Sequence, residues 1–471
     1  MTSRTPLYAR LANEIRRMIE SRILKPGERL PSLREMSRAK GVSIPTTIEA
    51  YRHLEDQSLI QVRPQSGYYV LDRERHPAAP SLGKFPGYPT SIQGEDRSQV
   101  IERILDSEIS LQFDSAVPDD IFIPVHRLSL ILSGLLRRDP GILGRNASSP
   151  GHLALRNQIA RRLIEWNCLV DPENIVITNG GLEAVGLCLR VLTSPGDIVV
   201  VESPTYYGFL NLIDVYGLRV LEIPCDPNEG MDLNELRKAL DHHPVKACLM
   251  SPTVSNPLGA TLSVTSKHRL LDLLQEHQVP LIEDATFADL HYAGPPPAVQ
   301  SLDPNANVML CASLTKTLAP GFRLGWVCPG RFMKQVCSYK RVLSGDQSEI
   351  LQSTLAVYLE NGGYERHLRR ARQEMQVRMR AAVEAIHGGF PSGTRWTRPS
   401  GGFLLWVELP RAIEAETLQT AATEANLGVA PGNIFSALGQ FQRHFRINVA
   451  QADTQRLIQA IQRFGGLIAR R

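Results

Sequence analysis

The stretch Ser313-Leu314-Thr315-Lys316, continued to Arg323, sets a hydroxyl, an amine and a guanidinium directly after the apolar run 308–312. On a loop beyond a strand's carboxyl end these groups surround one anionic ligand, and the amine is a nucleophile for a carbonyl. Three further motifs occupy equivalent places. Asp284 follows the strand-like stretch Leu281-Ile282-Glu283, and Asn256 lies in the turn Ser255-Asn256-Pro257-Leu258-Gly259 that follows the run 247–251. Thr178-Asn179-Gly180-Gly181 closes the run 175–178 and opens a helical stretch, whose bare N–H groups hold a phosphate well. Singly, each is an ordinary turn or a solvated charge. In this order, each at a strand end, they point to one site.

A second constellation lies near the N-terminus. Ser32 has the type of a helix N-cap, with Glu35 three residues on as its capping-box partner, and Arg34 falls in the first turn. Ser43 caps a following helix that carries Pro45, Thr46 and Thr47 in its first turn. Arg63-Pro64-Gln65-Ser66-Gly67 is the tip of a hairpin. Residues 1–75 hold 14 Lys/Arg against 9 Asp/Glu, a net +5, so the rest of this +4 chain sums to −1. A basic module on a near-neutral body suggests an anionic partner for that module alone.

The elements that position these groups read in two styles. Tyr8, Leu11, Ile15, Met18 and Ile19 recur at helical spacing, and the third helix turns Ile48, Tyr51 and Leu54 inward. With strands at 60–62 and 68–71, the order is a winged helix-turn-helix. Prolines 77, 80, 86 and 89 with glycines 83, 87 and 94 then predict a semi-extended linker over 76–95. From residue 96 onward short buried-type strands at 175–178, 198–202, 247–251, 281–283 and 308–312 alternate with helices, which predicts a mainly parallel α/β sheet. From about residue 364, helix and the strands 402–409 and 445–449 form a smaller α/β lobe.

Composition narrows the class. At 43% apolar and 21% charged residues the 471-residue chain is an ordinary globular protein, long enough for about three folding units. No apolar run approaches the ~18 residues of a membrane span, and the first residues lack a signal peptide's apolar core. The seven cysteines are scattered and never in C-x-x-C spacing, which argues against a disulfide scaffold or a metal site and for a reducing, cytoplasmic setting.

The four strand-end motifs together resemble the pyridoxal-phosphate aminotransferases of fold type I. Pro6-Leu7-Tyr8, the run from Pro26 to Glu35 and Ser66-Gly67-Tyr68-Tyr69-Val70 resemble a GntR-type DNA-binding domain. In this order the two resemble the MocR group of transcriptional regulators, over nearly the whole chain. The resemblance implies that pyridoxal 5′-phosphate forms a Schiff base with Lys316, that Asp284 pairs with the pyridine nitrogen, and that Asn256 bonds the ring's 3′ oxygen. It further implies that Tyr206 stacks on the ring and that Gly181, the Leu182 backbone N–H, Ser313 and Arg323 hold the phosphate. Arg446 matches the arginine that forks onto an amino acid's α-carboxylate.

Two departures bear on activity. Phe287 stands where aminotransferases usually carry a tyrosine, and Asn146 where a tyrosine contacts the phosphate from a neighbouring subunit. Both leave cofactor binding expected and weaken the case for transamination. In the DNA-binding domain Ile44 stands where the family often has arginine, shifting base contacts to Thr46, Thr47 and the wing at Ser66 and Gly67. Arg34 and Arg63 then face phosphates, beside the helix caps Ser32 and Ser43. The expectation is a cytoplasmic, homodimeric regulator that binds a double-stranded DNA operator and senses pyridoxal phosphate or an amino compound through aldimine chemistry. The alternative is a working aminotransferase with an appended winged-helix domain.

Overall fold

The computed structural model describes residues 7–21, 23–25, 27–56, 59–63, 66–70, 79–83, 87–92, 101–102, 111–410 and 415–470. The hairpin tip at 64–65 and linker residues 76–78, 84–86 and 93–95 lie outside the described residues. Contacts divide the chain into Met1–Ala78 and Ala79–Arg471.

In the first unit α1 (Leu7–Glu20), α2 (Leu33–Lys40) and α3 (Ile44–Asp56) precede the antiparallel hairpin β1 (Ile60–Arg63) and β2 (Gly67–Val70). Leu11, Ile15, Met36, Tyr51, Leu54, Ile60 and Val70 form its core. The capping box opens α2: the Glu35 N–H donates to Ser32 Oγ at 3.3 Å, and the Ser32 N–H to Glu35 Oε2 at 2.7 Å. Gly41 ends that helix at φ 61°, a left-handed position that glycine takes without strain. Ser32→Ala should therefore lower the stability of this unit by about 1 kcal/mol, read from its own unfolding transition. An unchanged midpoint would show that the cap contributes nothing.

The second unit is built on an eight-stranded sheet. Its strands are β4 (Val176–Thr178), β5 (Ile198–Ser203), β6 (Arg219–Asp226), β7 (Gly230–Met231), β8 (Val245–Met250), β9 (Leu281–Asp284), β10 (Val308–Ser313) and β11 (Gly325–Cys328). Their order is β4-β11-β10-β9-β8-β5-β6-β7, parallel from β10 through to β6, with β11 and β7 antiparallel to their neighbours. The parallel run puts Ser203, Ser251, Asp284 and Ser313 at one edge. A smaller antiparallel sheet, β13 (Arg395–Trp396), β14 (Leu404–Glu408), β16 (His444–Asn448) and β15 (Ala430–Pro431), packs with the long helices Gly363–Gly389 and Thr454–Arg470. No helix among the described residues is long and apolar enough to cross a membrane.

The described part of the expected linker lies on the second unit. Ser81 donates its N–H and its hydroxyl to Glu408, each at 2.7 Å. Farther on, Thr90 exchanges hydrogen bonds with Val220 on β6 at 2.9 and 2.8 Å, and Ile92 is buried. The prolines break regular structure, as the composition implies, yet Ser81 and Thr90 between them find partners on the second unit.

Candidate functional site

Lys316 sits on the loop between β10 and β11. Ser313 Oγ ends β10, accepting from the Thr315 N–H and donating to the Leu324 carbonyl, both at 3.1 Å, and the Leu318 N–H closes on the Leu314 carbonyl at 2.9 Å. The loop is tied from the far side as well: Tyr364 Oη is 2.8 Å from Thr317 Oγ1, and His367 Nε2 is 2.6 Å from the Thr317 carbonyl. Burial, helped by the guanidinium charges of Arg446 and Arg323 and opposed by Asp284, lowers Lys316 to about 8. An amine so placed is partly neutral, hence nucleophilic, near neutral pH.

Asp284 closes β9. Its Oδ1 accepts from the Thr286 N–H at 3.1 Å and the Thr286 hydroxyl at 2.5 Å; its Oδ2 accepts from the Ser251 hydroxyl at 3.2 Å. Burial raises this carboxyl, while Thr286, Ser251 and Lys316 pull it down. Behind it lies a group that sequence reasoning missed. Glu202, the penultimate residue of β5, is buried and takes the Ser251 N–H on Oε2 at 2.8 Å. Burial lifts it to about 8, with Asp284 adding to the rise and the Ser251 N–H opposing it. Two charged carboxylates are disfavoured there, and Glu202, pushed up to about 8, is the one that keeps its proton at neutral pH.

That proton has a thermodynamic consequence. A carboxyl raised from 4.5 to about 8 favours the folded state below 4.5, and this advantage is lost as pH rises towards 8. Glu202→Gln should therefore flatten the stability profile between pH 5 and 8.5, with a gap to the unsubstituted protein that widens on the order of a few kcal/mol. Parallel urea-midpoint profiles for the two proteins would refute the assignment.

The helix after β4, Gly181–Leu192, opens at Gly180, whose φ is +81°. A Cβ on Gly180 would lie 3.4 Å from Arg323 Nη2, and one on Gly181 3.0 Å from Thr286 Oγ1 and 3.5 Å from Ser313 Cβ. The expected residues Gly181, Ser313 and Arg323 therefore converge on one helix N-terminus, joined by Thr286 and by Thr315, whose hydroxyl is 2.9 Å from that of Ser313. Leu182 keeps its side chain at the surface and turns only backbone to this corner. Oriented N–H groups, hydroxyls and a guanidinium are what a phosphate dianion requires.

On the other flank Arg446, from β16, is wholly buried. It donates to Asn256 Oδ1 at 3.1 Å and to the Asp114 carbonyl, and its plane lies 5.1 Å over the Phe435 ring. Burial lowers its pKa, and its Nε has no hydrogen-bond partner among the described residues. Asp114, beside it, is raised to about 6 by burial. Tyr206 precedes the helix Tyr207–Val215 and packs against Tyr207 and Phe209, with ring centroids 4.8 and 5.3 Å away; Gly208 leaves it room, since a Cβ there would sit 2.4 Å from Tyr206 Cε1. Phe287 is buried 5.5 Å from Phe403 and brings no polar atom. Asn146 is exposed on a two-residue strand paired with Ser348.

In the first unit Ser32, Arg34 and Ser43 are exposed. Ser43 Oγ lies 2.8 Å from Thr46 Oγ1 and caps the Thr46 N–H at 3.3 Å. Thr47 departs from expectation: it has no exposed surface, its hydroxyl donates to the Ser43 carbonyl at 3.2 Å, and Ile48 is only half-buried. The helical phase runs through Thr47, Ala50, Tyr51 and Leu54, so Thr47 is a core residue and not one that reads bases. Ser66 Oγ is 2.7 Å from Tyr69 Oη, and Gly67 lies against the Arg29 guanidinium, an unforeseen neighbour of the wing. Arg63 pairs with Gly67 in the hairpin; its side chain lies outside the described residues.

Comparison with known proteins agrees with this division. Residues 137–464 match the family described as aminotransferase class I and II, and residues 7–70 match bacterial regulatory proteins of the gntR family. Two relatives from Escherichia coli K12, the uncharacterized HTH-type transcriptional regulators YdcR and YjiR, are 36% and 34% identical, each covering 98% of this chain and 99% of its own length. Among solved structures, the α-aminoadipate aminotransferase LysN of Thermus thermophilus, complexed with N-(5′-phosphopyridoxyl)-L-leucine, superposes with a TM-score of 0.74. It is 25% identical over 80% of this chain and 95% of that one.

Proposed function

The chain belongs to the aminotransferase class I and II family, joined behind a gntR-family domain, and we propose that it is a DNA-binding transcriptional regulator whose second unit holds pyridoxal 5′-phosphate and senses that cofactor or an amino compound. The observation that supports it best is the coexistence of a capped helix-turn-helix with groups fitting that cofactor gathered at one sheet edge, from the buried Asp284, Ser313 and Arg446 to the half-buried Lys316 and the exposed Arg323. When bound, pyridoxal phosphate supplies an aldehyde for an amine and a cationic ring that withdraws electrons.

The chain's own residues account for the rest. The amides of Gly181 and Leu182, the Ser313 and Thr315 hydroxyls and Arg323 bind the phosphate. Asp284, fixed by Thr286 and Ser251, keeps a proton on the ring nitrogen. Lys316 offers the amine, Tyr206 covers a ring face, and Asn256 donates to the ring's 3′ oxygen. Arg446 forks onto a carboxylate through a guanidinium already stripped of water, so a ligand bearing both amine and carboxylate engages both ends.

In the DNA-binding unit Arg34 and Arg63 contact backbone phosphates, while Thr46, half-buried beside Ser43, and the wing at Ser66 and Gly67 approach base edges. A homodimer in the cytoplasm presents two such units to paired half-sites. A second reading, a working aminotransferase, draws on the intact trio Lys316, Asp284 and Arg446; Phe287 weighs against it.

The test is a gel shift on the chain's own upstream DNA, with and without pyridoxal phosphate, at two salt concentrations. A sequence-specific, salt-sensitive shift is expected. No such shift, together with transamination at about one turnover per second or faster, would replace the regulator by the enzyme.

A further inference from the structure

The most unexpected contact in the second unit joins residues 327 positions apart. Glu408 ends β14 with only 2% of its surface exposed, and both donors of Ser81 converge on it, at 2.7 Å to Oε2 and Oε1. Arg443 Nη2 donates to the same Oε1 at 2.5 Å. A buried carboxylate needs such donors, and two of its three close ones come from the segment leading out of the DNA-binding unit.

Glu408 also lies in register with the ligand site. On the paired strands β14 and β16, Glu408 faces His444 and Trp406 faces Arg446. Under the Arg446 guanidinium lies Phe435; the Phe435 ring is 5.2 Å from Trp406, and Trp406 is 5.8 Å from Phe441. Phe441 presses on Gly83, where a Cβ would come within 2.8 Å of its Cζ. A chain of edge-to-face rings thus runs from the carboxylate-binding arginine to Gly83 of the linker, beside the hydrogen bonds of Ser81.

The far end of the segment is fastened to the other lobe. Thr90 pairs with Val220 on β6, Arg219 donates to the Pro89 carbonyl at 3.0 Å, and the Gly87 carbonyl is 3.2 Å from His243 Nε2. Residues 79–83 are therefore held by the small sheet that carries Arg446, and residues 87–92 by the lobe built on the large sheet that carries Lys316 and Asp284. A ligand that spans the two sheets and alters their relation displaces one attachment of this strap against the other.

We propose that Glu408 is the positioning residue that couples occupancy of the ligand site to the DNA-binding unit, by gripping Ser81 from the sheet that carries Arg446. This rests on the regulator reading and names its route of transmission. A coupled pair of sites needs an element that both bias, and the strap is that element.

The experiment uses the full chain, with pyridoxal phosphate and an equimolar pool of the standard L-amino acids as probe. Operator affinity is measured with and without the probe for the unsubstituted protein, Glu408→Gln and Ser81→Ala, and amide exchange of residues 79–92 is followed in parallel. The unsubstituted protein should respond by about 5- to 150-fold, the span usual for coupled sites. Both variants should respond by no more than about twofold while keeping pyridoxal phosphate affinity. Ser81→Ala removes only one half-buried hydroxyl and leaves the carboxylate in place, so it stays informative if Glu408→Gln folds poorly. Variants that respond as fully as the parent would overturn the proposal. If the parent shows no response on DNA, it is the regulator reading that fails. Exchange at 79–83 then decides the coupling: a rate changed by the probe supports it, and an unchanged rate sinks it.

Discussion

Lys316→Ala should abolish the absorbance band at about 420 nm that the protein acquires with pyridoxal phosphate, and should let the cofactor wash out on gel filtration. The expectation rests on three features of the loop. Ser313, Thr315 and Leu314 pin its start, and Tyr364 and His367 pin Thr317, so the amine is delivered by a rigid turn. Burial and the charges of Arg446 and Arg323 bring Lys316 to about 8, so at pH 7 roughly one molecule in ten carries a neutral amine, against roughly one in several thousand for an ordinary lysine. The phosphate corner and Asp284 survive the substitution, leaving reversible binding weaker by about 100-fold or more, as expected when a covalent anchor is lost. Attachment to the unsubstituted protein should quicken as pH rises through about 8, the direction set by deprotonation of the amine. A band that persists in Lys316→Ala would assign the chemistry to another amine.

Much of the site was legible because chemistry-bearing residues close largely apolar runs, and runs such as 308–312 and 198–201 read as buried strands wherever they occur. Once those strands are parallel, their last residues must meet at one edge. β6 escaped notice because Glu222, Pro224 and Asp226 interrupt it. Glu222 is tolerated inside because the Ser203 and Ser436 hydroxyls donate to it at 3.2 and 2.9 Å, a satisfaction supplied by distant segments. Glu202 was missed for a related reason. A carboxylate after the run 198–201 looks like any strand-end charge until the register of β5, β8 and β9 places Ser251 between it and Asp284. Thr47 was misread by one step of helical phase, since a first-turn threonine and a core threonine look alike until the neighbouring helices are placed. The linker's prolines announce an irregular segment, but nothing local to residues 76–95 names Glu408 as the group that captures Ser81.

Asp289→Ala should destabilise the second unit by about 3–5 kcal/mol, the cost of stranding a buried charge. Asp289 Oδ1 takes two hydrogen bonds from Arg162, at 3.1 and 2.6 Å, and one from the Trp166 indole at 2.9 Å; Oδ2 lies 2.8 Å from Tyr364 Oη. Side-chain exposures of 7% and 5% for Arg162 and Asp289 mean that solvent screens the pair little. Removing the carboxylate leaves the guanidinium with the half-exposed Glu365 and the face of Tyr364, and leaves the indole N–H without its acceptor. The loss also reaches the reactive lysine, because Tyr364 spans Asp289 and Thr317, the residue after Lys316. Urea unfolding of the second unit measures the first effect, and the rate of pyridoxal phosphate attachment measures the second. The double variant Arg162→Met with Asp289→Leu should recover most of the stability, since an apolar pair of similar volume carries no desolvation cost, yet it should not restore the attachment rate. Single-variant losses under about 1 kcal/mol would mean that water or a rearranged side chain takes the place of Asp289, and that the loop owes its rigidity to Ser313 and His367 alone.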